Sequence, residues 1–238
     1  MTDDNDVFGK GLWQYHKSPN NQELITWTNL TFEDSIPISY FFRTFNQMPT
    51  LEKKALELAQ GKVLDIGCGT GCHGLYLQSE KNLSVLGIDS SANAIRVAKE
   101  RGLLQTVNQS IFDFKGDTFD TLLLLMNGPG ICGSLDRLQL LLEKLRRLLN
   151  RGGQILLDSS DLIYLFDETA KGEKNIPADQ YYGELQYGIR FENNNETFPW
   201  LYVDYGNLSH LARKVGLETH LILEGQNWDY LARLTRGY

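Results

Sequence analysis

An apolar segment that ends in closely spaced glycines constrains this chain more than any other feature. The segment VLDIGCGTGCHG, residues 63–74, holds four glycines within eight positions, directly after a run of strand-forming residues. Glycine loses more conformational freedom on folding than other residues, so this spacing indicates a backbone that turns sharply or approaches a ligand closely. The segment therefore predicts a buried strand followed by a turn that either binds a dinucleotide, an adenosyl cofactor or a phosphate, or is only a tight turn.

Strand-like and helix-like segments alternate on both sides of this turn. The apolar segment 119–126 is typical of a strand buried on both faces of a parallel sheet. The helix over 50–60 is predicted to have Thr50 as its N-cap. The alternation favours an α/β fold with a parallel sheet and right-handed crossovers. We predict strands over 62–66, 83–89, 105–109, 119–126, 154–158, 217–223 and 228–235, and helices over 50–60, 72–78, 90–102, 135–150 and 207–216.

Residues 160–206 interrupt this alternation. They contain ten aromatic residues, and the stretch ELQYGIRFENNNETFPWLYVD predicts two strands around a polar turn. We therefore divide the chain into an N-terminal lid (1–49), a core (50–159 with 207–238) and an inserted, β-rich aromatic cap (160–206). Within the lid, SYFFRTF at 39–45 is expected to close over the ligand.

Composition excludes several classes of function. The net charge is −7, and the densest cationic cluster lies along the helix predicted over 135–150, so we expect no nucleic-acid partner. Three cysteines without paired spacing argue against a disulfide framework and a zinc site, and no convincing metal-ligand set occurs. The apolar runs are too short to cross a membrane, and the polar N-terminal residues are unlike a signal peptide. A cytoplasmic protein is the expectation, and the oligomeric state stays open.

Two carboxylates stand at the ends of the first two predicted strands of the core. In an open α/β sheet, ligands bind beyond the carboxyl ends of the strands. Asp65 lies inside the end of the first strand, where it favours a ligand with a cationic end. Asp89 ends the second strand, 22 residues after Gly67, and a carboxylate there can accept hydrogen bonds from both ribose hydroxyls. Nicotinamide and adenosyl cofactors share that feature, but Cys72 replaces the third glycine of the dinucleotide motif.

Further candidates follow the other strands. The stretch SIFDF at 110–114 offers Asp113 to an adenine amino group, and Ile111 or Phe112 to the face of the ring. Asn127 follows the strand over 119–126 as a candidate polar contact near the end of the ligand. Asp158 and Asp161, at the end of the strand over 154–158, are candidate substrate contacts, and Asp161 could instead cap a helix. Arg43, in the segment expected to close over the site, is a candidate partner for a ligand carboxylate.

Five stretches of the chain resemble, in order, the motifs of the class I S-adenosylmethionine-dependent methyltransferases. They are VLDIGCGTG, GIDSS, IFDF, FDTLLLLMNGPG and LLNRGGQILLD. The resemblance covers roughly residues 50–158. It implies a Rossmann-like, seven-stranded, mostly parallel sheet whose last strand is antiparallel, flanked by helices. It also implies S-adenosyl-L-methionine as cofactor and direct methyl transfer without a metal. The cofactor contacts that we predict are Arg43, Asp65, Gly67, Gly69, Gly71, Asp89, Ser90, Phe112, Asp113 and Asn127.

The acceptor is less constrained than the cofactor. The stretch NGPG at 127–130 differs from the Asn-Pro-Pro-aromatic motif of methyltransferases acting on adenine or glutamine amino groups, so we do not assign that activity. The aromatic cap favours a small-molecule acceptor, and no residue stands out as a general base. Two alternatives are a nicotinamide-dependent oxidoreductase on the same core and a non-catalytic protein that binds S-adenosylmethionine.

Overall fold

The computed structural model describes residues 6–168, 174–176 and 180–237. Parts of the predicted lid (1–5) and cap (169–173 and 177–179) lie outside these residues. The described helices are α1 (Val7–Lys17), α2 (Thr50–Leu58), α3 (Cys72–Ser79), α4 (Ala92–Glu100), α5 (Leu135–Leu148) and α6 (Tyr205–Lys214). The strands are β1 (Glu23–Thr28), β2 (Asp34–Pro37), β3 (Lys62–Ile66), β4 (Ser84–Asp89), β5 (Gln105–Asn108), β6 (Phe119–Leu124), β7 (Leu149–Ser160), β8 (Glu184–Phe191), β9 (Asn194–Leu201), β10 (Leu217–Glu224) and β11 (Asp229–Arg236).

Seven strands form a central sheet in the order β10-β11-β7-β6-β3-β4-β5. Five neighbouring strands run parallel, namely β7, β6, β3, β4 and β5. Strand β11 is antiparallel to both of its neighbours, β7 and β10. The predicted α/β fold and its antiparallel last strand are therefore confirmed. Because the chain moves outward from β3 to β5 and then returns to β6, the strand order reverses between β3 and β6. The carboxyl ends of β3 and β6 consequently flank a crevice, the place where open α/β sheets bind ligands.

Side-chain alternation assigns each residue of β3 and β7 to one face of this sheet. Leu64 and Ile66 belong to the hydrophobic core that α5 covers, whereas Val63 and Leu156 belong to the core on the other face, beneath α2 and α3. Successive side chains of a strand point to opposite faces. Asp65 and Asp158 therefore share the face on which α2 and α3 pack.

Several predicted boundaries were wrong, most clearly those of α2, β6 and β7. Thr50 is the first residue of α2, and Pro49 occupies the N-cap position instead. Strand β6 ends at Leu124 rather than 126, because Met126 and Asn127 both adopt left-handed backbone angles, with φ of 63° and 56°. Strand β7 begins at Leu149, five residues before the predicted start.

A second, four-stranded antiparallel sheet has the order β2-β1-β8-β9, and we call it the roof sheet. The two strands predicted within the cap are confirmed as β8 and β9. They pair antiparallel, with Glu184 opposite Leu201 at one end and Phe191 opposite Asn194 at the other. Strands β1 and β2 come from the N-terminal segment, and β1 pairs with β8. The predicted lid and cap are thus parts of one sheet rather than separate coverings.

The N-terminal helix fastens the roof sheet to the core. Asp6 caps α1 by accepting a hydrogen bond from the Gly9 backbone N–H, at 2.9 Å. Its other oxygen accepts from the Ser91 hydroxyl at 2.7 Å, and Ser91 in turn caps α4. Apolar residues of α1, α4 and the roof sheet then form a third hydrophobic core. The roof sheet is consequently held at a fixed position beside the end of β4.

We expect Gly188→Ala to destabilise the roof sheet. Gly188 lies opposite Trp27 on the neighbouring strand, and an added Cβ would lie 2.0 Å from the indole ring. Overpacking of this kind costs about 1–3 kcal/mol. Thermal unfolding of the single variants and of Gly188→Ala with Trp27→Leu measures the effect. The double variant should lose less stability than the sum of the single losses, and simple additivity would contradict the packing account.

Candidate active site

The glycine-rich turn after β3 surrounds open space. Gly67 and Gly69 have φ of 72° and 53°, and a Cβ added at either would meet nothing within 4 Å. The backbone N–H of Gly67 donates to the Ile88 carbonyl at 2.8 Å, which fixes the turn against the end of β4. These two glycines therefore present bare backbone to the crevice, as close approach of a ligand requires.

Gly71 differs from the two glycines before it. It stands at the N-cap of α3 with φ of 83°, and an added Cβ would lie 3.3 Å from the Ala98 side chain. The left-handed angle starts the helix, and the missing side chain lets α3 pack against α4. The structure thus gives Gly71 a role in packing, and its predicted contact with the cofactor stays a prediction.

Asp89 lies at the end of β4, directly beside the turn. Its Oδ2 accepts from the backbone N–H of Gly69 at 2.9 Å, and its Oδ1 accepts from that of Ser91 at 2.8 Å. Each oxygen keeps a lone pair for a further donor. Burial raises the pKa of Asp89 to about 6, against the effect of these two hydrogen bonds. Ser90 is exposed between Asp89 and the cap of α4.

Asp65 supplies a buried acceptor without a partner. The side chain is 2% exposed, and its Oδ2 has no hydrogen bond within the described residues. Burial raises the pKa of this carboxyl, whereas the neighbouring His73 acts to lower it. An unpartnered buried carboxylate is costly, so this oxygen requires a donor, and a cationic donor stabilises it most.

Arg43 takes part in a buried ion network. Its guanidinium donates to Glu52 on α2 and, at 2.8 Å, to the carbonyl of Tyr40, and it lies 4.2 Å from the Tyr40 ring. His73 on α3 lies 2.6 Å from the same Glu52 oxygen. Arg43, Glu52 and His73 are all less than 8% exposed. The predicted contact of Arg43 with a ligand carboxylate stays a prediction: two of its nitrogens donate within the protein, and its buried Nε has no hydrogen-bond partner among the described residues.

The two basic partners make Glu52 the charged centre of this network. Although burial alone would raise the pKa of Glu52, its hydrogen bonds and charge interactions with His73 and Arg43 lower it. Glu52 and Asp65 raise the pKa of His73, against the effect of burial and of Arg43. The lowered pKa of Glu52 favours its carboxylate, and the raised pKa of His73 favours its imidazolium, so the two form a charged pair.

The segment 38–43, which we call the strap, crosses the glycine-rich turn. The carbonyl of Phe41 accepts hydrogen bonds from the Thr70 hydroxyl and, at 3.0 Å, from the Cys72 thiol. Arg101 donates to the Thr70 carbonyl at 2.8 Å and to the Phe42 carbonyl at 3.4 Å. The strap is thereby fixed against the turn, in agreement with the expectation that this region covers the site.

The segment after β5 begins beside Asp89. The Gln109 backbone N–H donates to the Asp89 carbonyl at 2.9 Å. Phe112 is half-buried, with the Arg137 guanidinium 4.9 Å from its ring, and Asp113 is exposed. The predicted adenine-side residues thus lie on the same edge of the sheet as the predicted ribose-side residue.

Asn127 joins three elements of the site. Its Nδ2 donates to the Leu201 carbonyl of β9 at 3.1 Å, and its Oδ1 accepts from the Ser159 hydroxyl at 2.7 Å. Its backbone N–H donates to Asp158 Oδ2 at 3.3 Å. Asn127 therefore holds the loop after β6 against β7 and the roof sheet.

The predicted cofactor contacts include neither Asp158 nor Tyr40, and Asp158 was expected only as a contact for the substrate. Asp158 lies near the carboxyl end of β7, and its Oδ1 is buried without a hydrogen-bond partner among the described residues. Its position after an apolar strand was the available signal. Tyr40 gave no signal, because only the fold of the strap brings it near Asp158. Asp161, by contrast, caps the short 3-10 turn after β7.

The comparisons with known proteins agree with this geometry. Residues 63–153 match a family model described as a methyltransferase domain. The chain is 38% identical to a SAM-dependent methyltransferase from Bacteroides fragilis that was crystallised in complex with S-adenosyl-L-homocysteine. That match covers 100% of this chain and 98% of the other, with a TM-score of 0.91. The chain belongs to the S-adenosylmethionine-dependent methyltransferases, which decides against the nicotinamide-dependent alternative.

More distant structures share the fold. The sugar N-methyltransferase KedS8 from Streptoalloteichus is 16% identical, with 83% of this chain and 88% of that chain covered and a TM-score of 0.59. The amino pentose methyltransferase CalS10 from Micromonospora echinaspora is 14% identical, with 81% and 93% covered and a TM-score of 0.54. No curated protein matches the chain. Within the described residues, no helix has the length and apolar character needed to span a membrane.

The site residues fit the family's cofactor, which supplies a methyl group on a positively charged sulfur. Open space at Gly67 and Gly69 accommodates a closely bound ligand, and the carboxylate of Asp89 can accept from ribose hydroxyls. The unpartnered Oδ2 of Asp65 suits the ammonium group of the methionine end. These are the residues that we expect to hold the cofactor.

We expect Asp89→Ala to weaken binding of S-adenosylhomocysteine at least tenfold. Each hydrogen bond to a charged acceptor contributes about 1.5–3 kcal/mol, and 1.4 kcal/mol corresponds to about tenfold in affinity. Because the carboxylate is the accepting form, the wild-type affinity should also fall as pH drops below about 6. Calorimetry between pH 5 and 8 measures both effects, and Asp89→Asn should lose the part of the pH dependence that is centred near 6. Unchanged affinity in Asp89→Ala would refute the ribose contact.

A matched pair of glycine substitutions tests whether the open turn is a binding surface. Gly69 and Gly152 both have positive φ, and an added Cβ meets nothing within 4 Å at either, but Gly152 lies near the start of β7, at the opposite end of the sheet. Gly69→Ala and Gly152→Ala should lose similar stability, about 1–2 kcal/mol. Only Gly69→Ala should also lose affinity for S-adenosylhomocysteine. Equal affinity in the two variants would make the turn merely structural.

Proposed function

We propose that this methyltransferase acts on a small-molecule acceptor, bound between the glycine-rich turn and the roof sheet. In this proposal Asp65, Gly67 and Gly69 hold the methionine end of the cofactor, Asp89 and Ser90 its ribose, and Phe112 and Asp113 its adenine. The enclosure of the crevice by the strap and the roof sheet is the observation that carries the proposal.

Aromatic side chains of the roof sheet cover the loop that follows β6. Trp200 packs directly over Gly130, where an added Cβ would lie 2.0 Å from the indole. Tyr187 and Phe198 contact Trp200, with ring centroids 5.9 and 5.8 Å away. Rings of this kind offer flat apolar faces to a small acceptor. They also remove water from the space above the crevice, which assists a displacement that depends on positioning.

The charge of the crevice argues against a nucleic-acid acceptor. Glu52, Asp65, Asp89 and Asp158 all lie around it, and Arg43 and His73 are already paired with Glu52. Nucleic-acid enzymes need free cationic side chains that neutralise phosphates. An acidic crevice repels a phosphate backbone and instead attracts a cationic or neutral acceptor.

Two structural neighbours agree with a small acceptor. KedS8 is described as a sugar N-methyltransferase and CalS10 as an amino pentose methyltransferase. Their sequence identity to this chain is low, so they support only the statement that this fold accommodates acceptors of that size.

A labelling experiment tests the proposal. A cell extract is separated by ultrafiltration into small molecules and macromolecules, and each fraction is incubated with the enzyme and methyl-labelled S-adenosylmethionine. We expect enzyme-dependent label in the small-molecule fraction, reduced in Trp200→Ala, because that substitution opens the roof above the crevice. Cofactor binding by Trp200→Ala should match that of the wild type, which serves as the control. Enzyme-dependent label in RNA, DNA or protein alone would contradict the proposal.

A further inference from the structure

We infer that Asp158 binds the nucleophilic group of the acceptor, and that this group is an amine. The inference rests on the proposed small-molecule function and names the chemical class of its substrate. It is carried by an unpartnered buried oxygen at the point where β7, the strap and α2 converge.

The backbone fixes Asp158 firmly. Its neighbour on the antiparallel strand is Leu231, and it follows Leu157, the last residue of β7 that pairs with β6. One carboxylate oxygen, Oδ2, accepts from the Asn127 backbone N–H at 3.3 Å. The other oxygen, Oδ1, is buried and has no hydrogen-bond partner within the described residues. A fixed carboxylate with one engaged and one free oxygen is a ready acceptor for one ligand donor.

Charged and titratable groups from several elements face this carboxylate. Glu52 and His73 approach from α2 and α3, and both affect its pKa. The pKa of Tyr40, on the strap, is raised mainly by burial, and the charge of Asp158 adds to the rise. The charge of Asp158 also adds to the raised pKa of Tyr202, which follows β9, and of Tyr230 on β11. Burial is again the main cause for both. Carboxylate and tyrosine side chains from these elements therefore lie near enough to Asp158 to interact with its charge.

The charges beside Asp158 favour a cation. Arg43 and His73 pair directly with Glu52, and Asp65 is assigned to the ammonium group of the cofactor. Asp158 is then a carboxylate without a cationic hydrogen-bond partner among the described residues. The Asp158 carboxylate would repel an anionic acceptor. An alcohol would donate a hydrogen bond to Oδ1 but would leave the negative charge of the carboxylate unbalanced. An ammonium group satisfies both, and neighbouring aromatic faces favour cations as well.

The same carboxylate accounts for the fate of the proton. An ammonium nitrogen has no lone pair, so it must lose a proton before it can attack. That proton passes from nitrogen to Oδ1 of Asp158. The amine nitrogen then bonds to the methyl carbon while the carbon–sulfur bond of the donor breaks, and its electron pair stays on sulfur. Asp158 returns its proton to water when the product leaves.

Titration of Asp158 fits this role. Burial raises its pKa to about 7, and the charge of Glu52 adds to the rise, whereas the Asn127 N–H and His73 oppose it. A carboxyl with this pKa accepts a proton from an ammonium group more readily than an ordinary aspartate does. Because the ionised form binds the cation, amine affinity should fall as pH drops below about 7.

Matched ligand triads test the inference. Calorimetry with the protein saturated with S-adenosylhomocysteine measures binding of an amine, an alcohol and a carboxylate on each of three skeletons. The probes are benzylamine, benzyl alcohol and benzoate; cyclohexylmethylamine, its alcohol and its acid; and glucosamine, glucose and glucuronate. The variants are Asp158→Asn and, as a control, Asp117→Asn. Asp117 is exposed and pairs with Lys62 at the opposite end of the sheet.

We expect the amine of at least one skeleton to bind at least tenfold more tightly than its alcohol and acid. Asp158→Asn should remove that preference, while Asp117→Asn keeps it and both variants keep the affinity for S-adenosylhomocysteine. Equal or tighter binding of the alcohols or acids would overturn the inference, as would a preference that survives in Asp158→Asn. Binding of no probe on any skeleton, with label found only in macromolecules, would instead overturn the proposed function.

Discussion

The arrangement of the site depends on one buried carboxylate, Glu52. It is 3% exposed, and it accepts from Arg43 of the strap and lies 2.6 Å from His73 of α3. Removing one partner of a buried ion pair costs about 3–5 kcal/mol, because the remaining charge stays buried. Glu52 therefore joins the strap to the helix that follows the glycine-rich turn. Together with the hydrogen bonds that the Phe41 carbonyl accepts from Thr70 and Cys72, it fixes the wall beside Gly67 and Gly69.

The remaining walls come from segments that are distant in the sequence. Side-chain alternation places Asp65 and Asp158 on the sheet face that α2 and α3 cover, and so brings them toward Glu52 and His73. Asn127 joins the loop after β6 to Ser159 and to Leu201 of the roof sheet. The end of the crevice that we assign to the cofactor is thus made of backbone and carboxylates, and the end that we propose for the acceptor is made of carboxylates and aromatic rings. That difference in chemistry is the reason to assign the two ends to two different ligands.

The sequence predicted what local chemistry determines and missed what distant pairing determines. The glycine-rich turn and the strand ends at Asp65 and Asp89 were predictable, because glycine spacing and apolar runs are local signals. The pairing of β1 with β8 was not predictable, because neither strand carries a sequence signal that identifies the distant strand with which it pairs. Arg43 was predicted to meet a ligand carboxylate, but a sequence gives no sign that Glu52, nine residues later, faces it. Asp158 was noticed only as a possible substrate contact, because its importance comes from a buried oxygen that lacks a partner.

The central claim is that the cofactor binds between the glycine-rich turn and the strap. Amide hydrogen exchange, measured by mass spectrometry with and without S-adenosylhomocysteine, tests it most directly. The account predicts slower exchange in peptides that cover 66–72, 89–91 and 38–43, with the loop before Lys62 and the β10–β11 turn unchanged. Protection confined to the roof sheet or to the opposite end of the central sheet would contradict it.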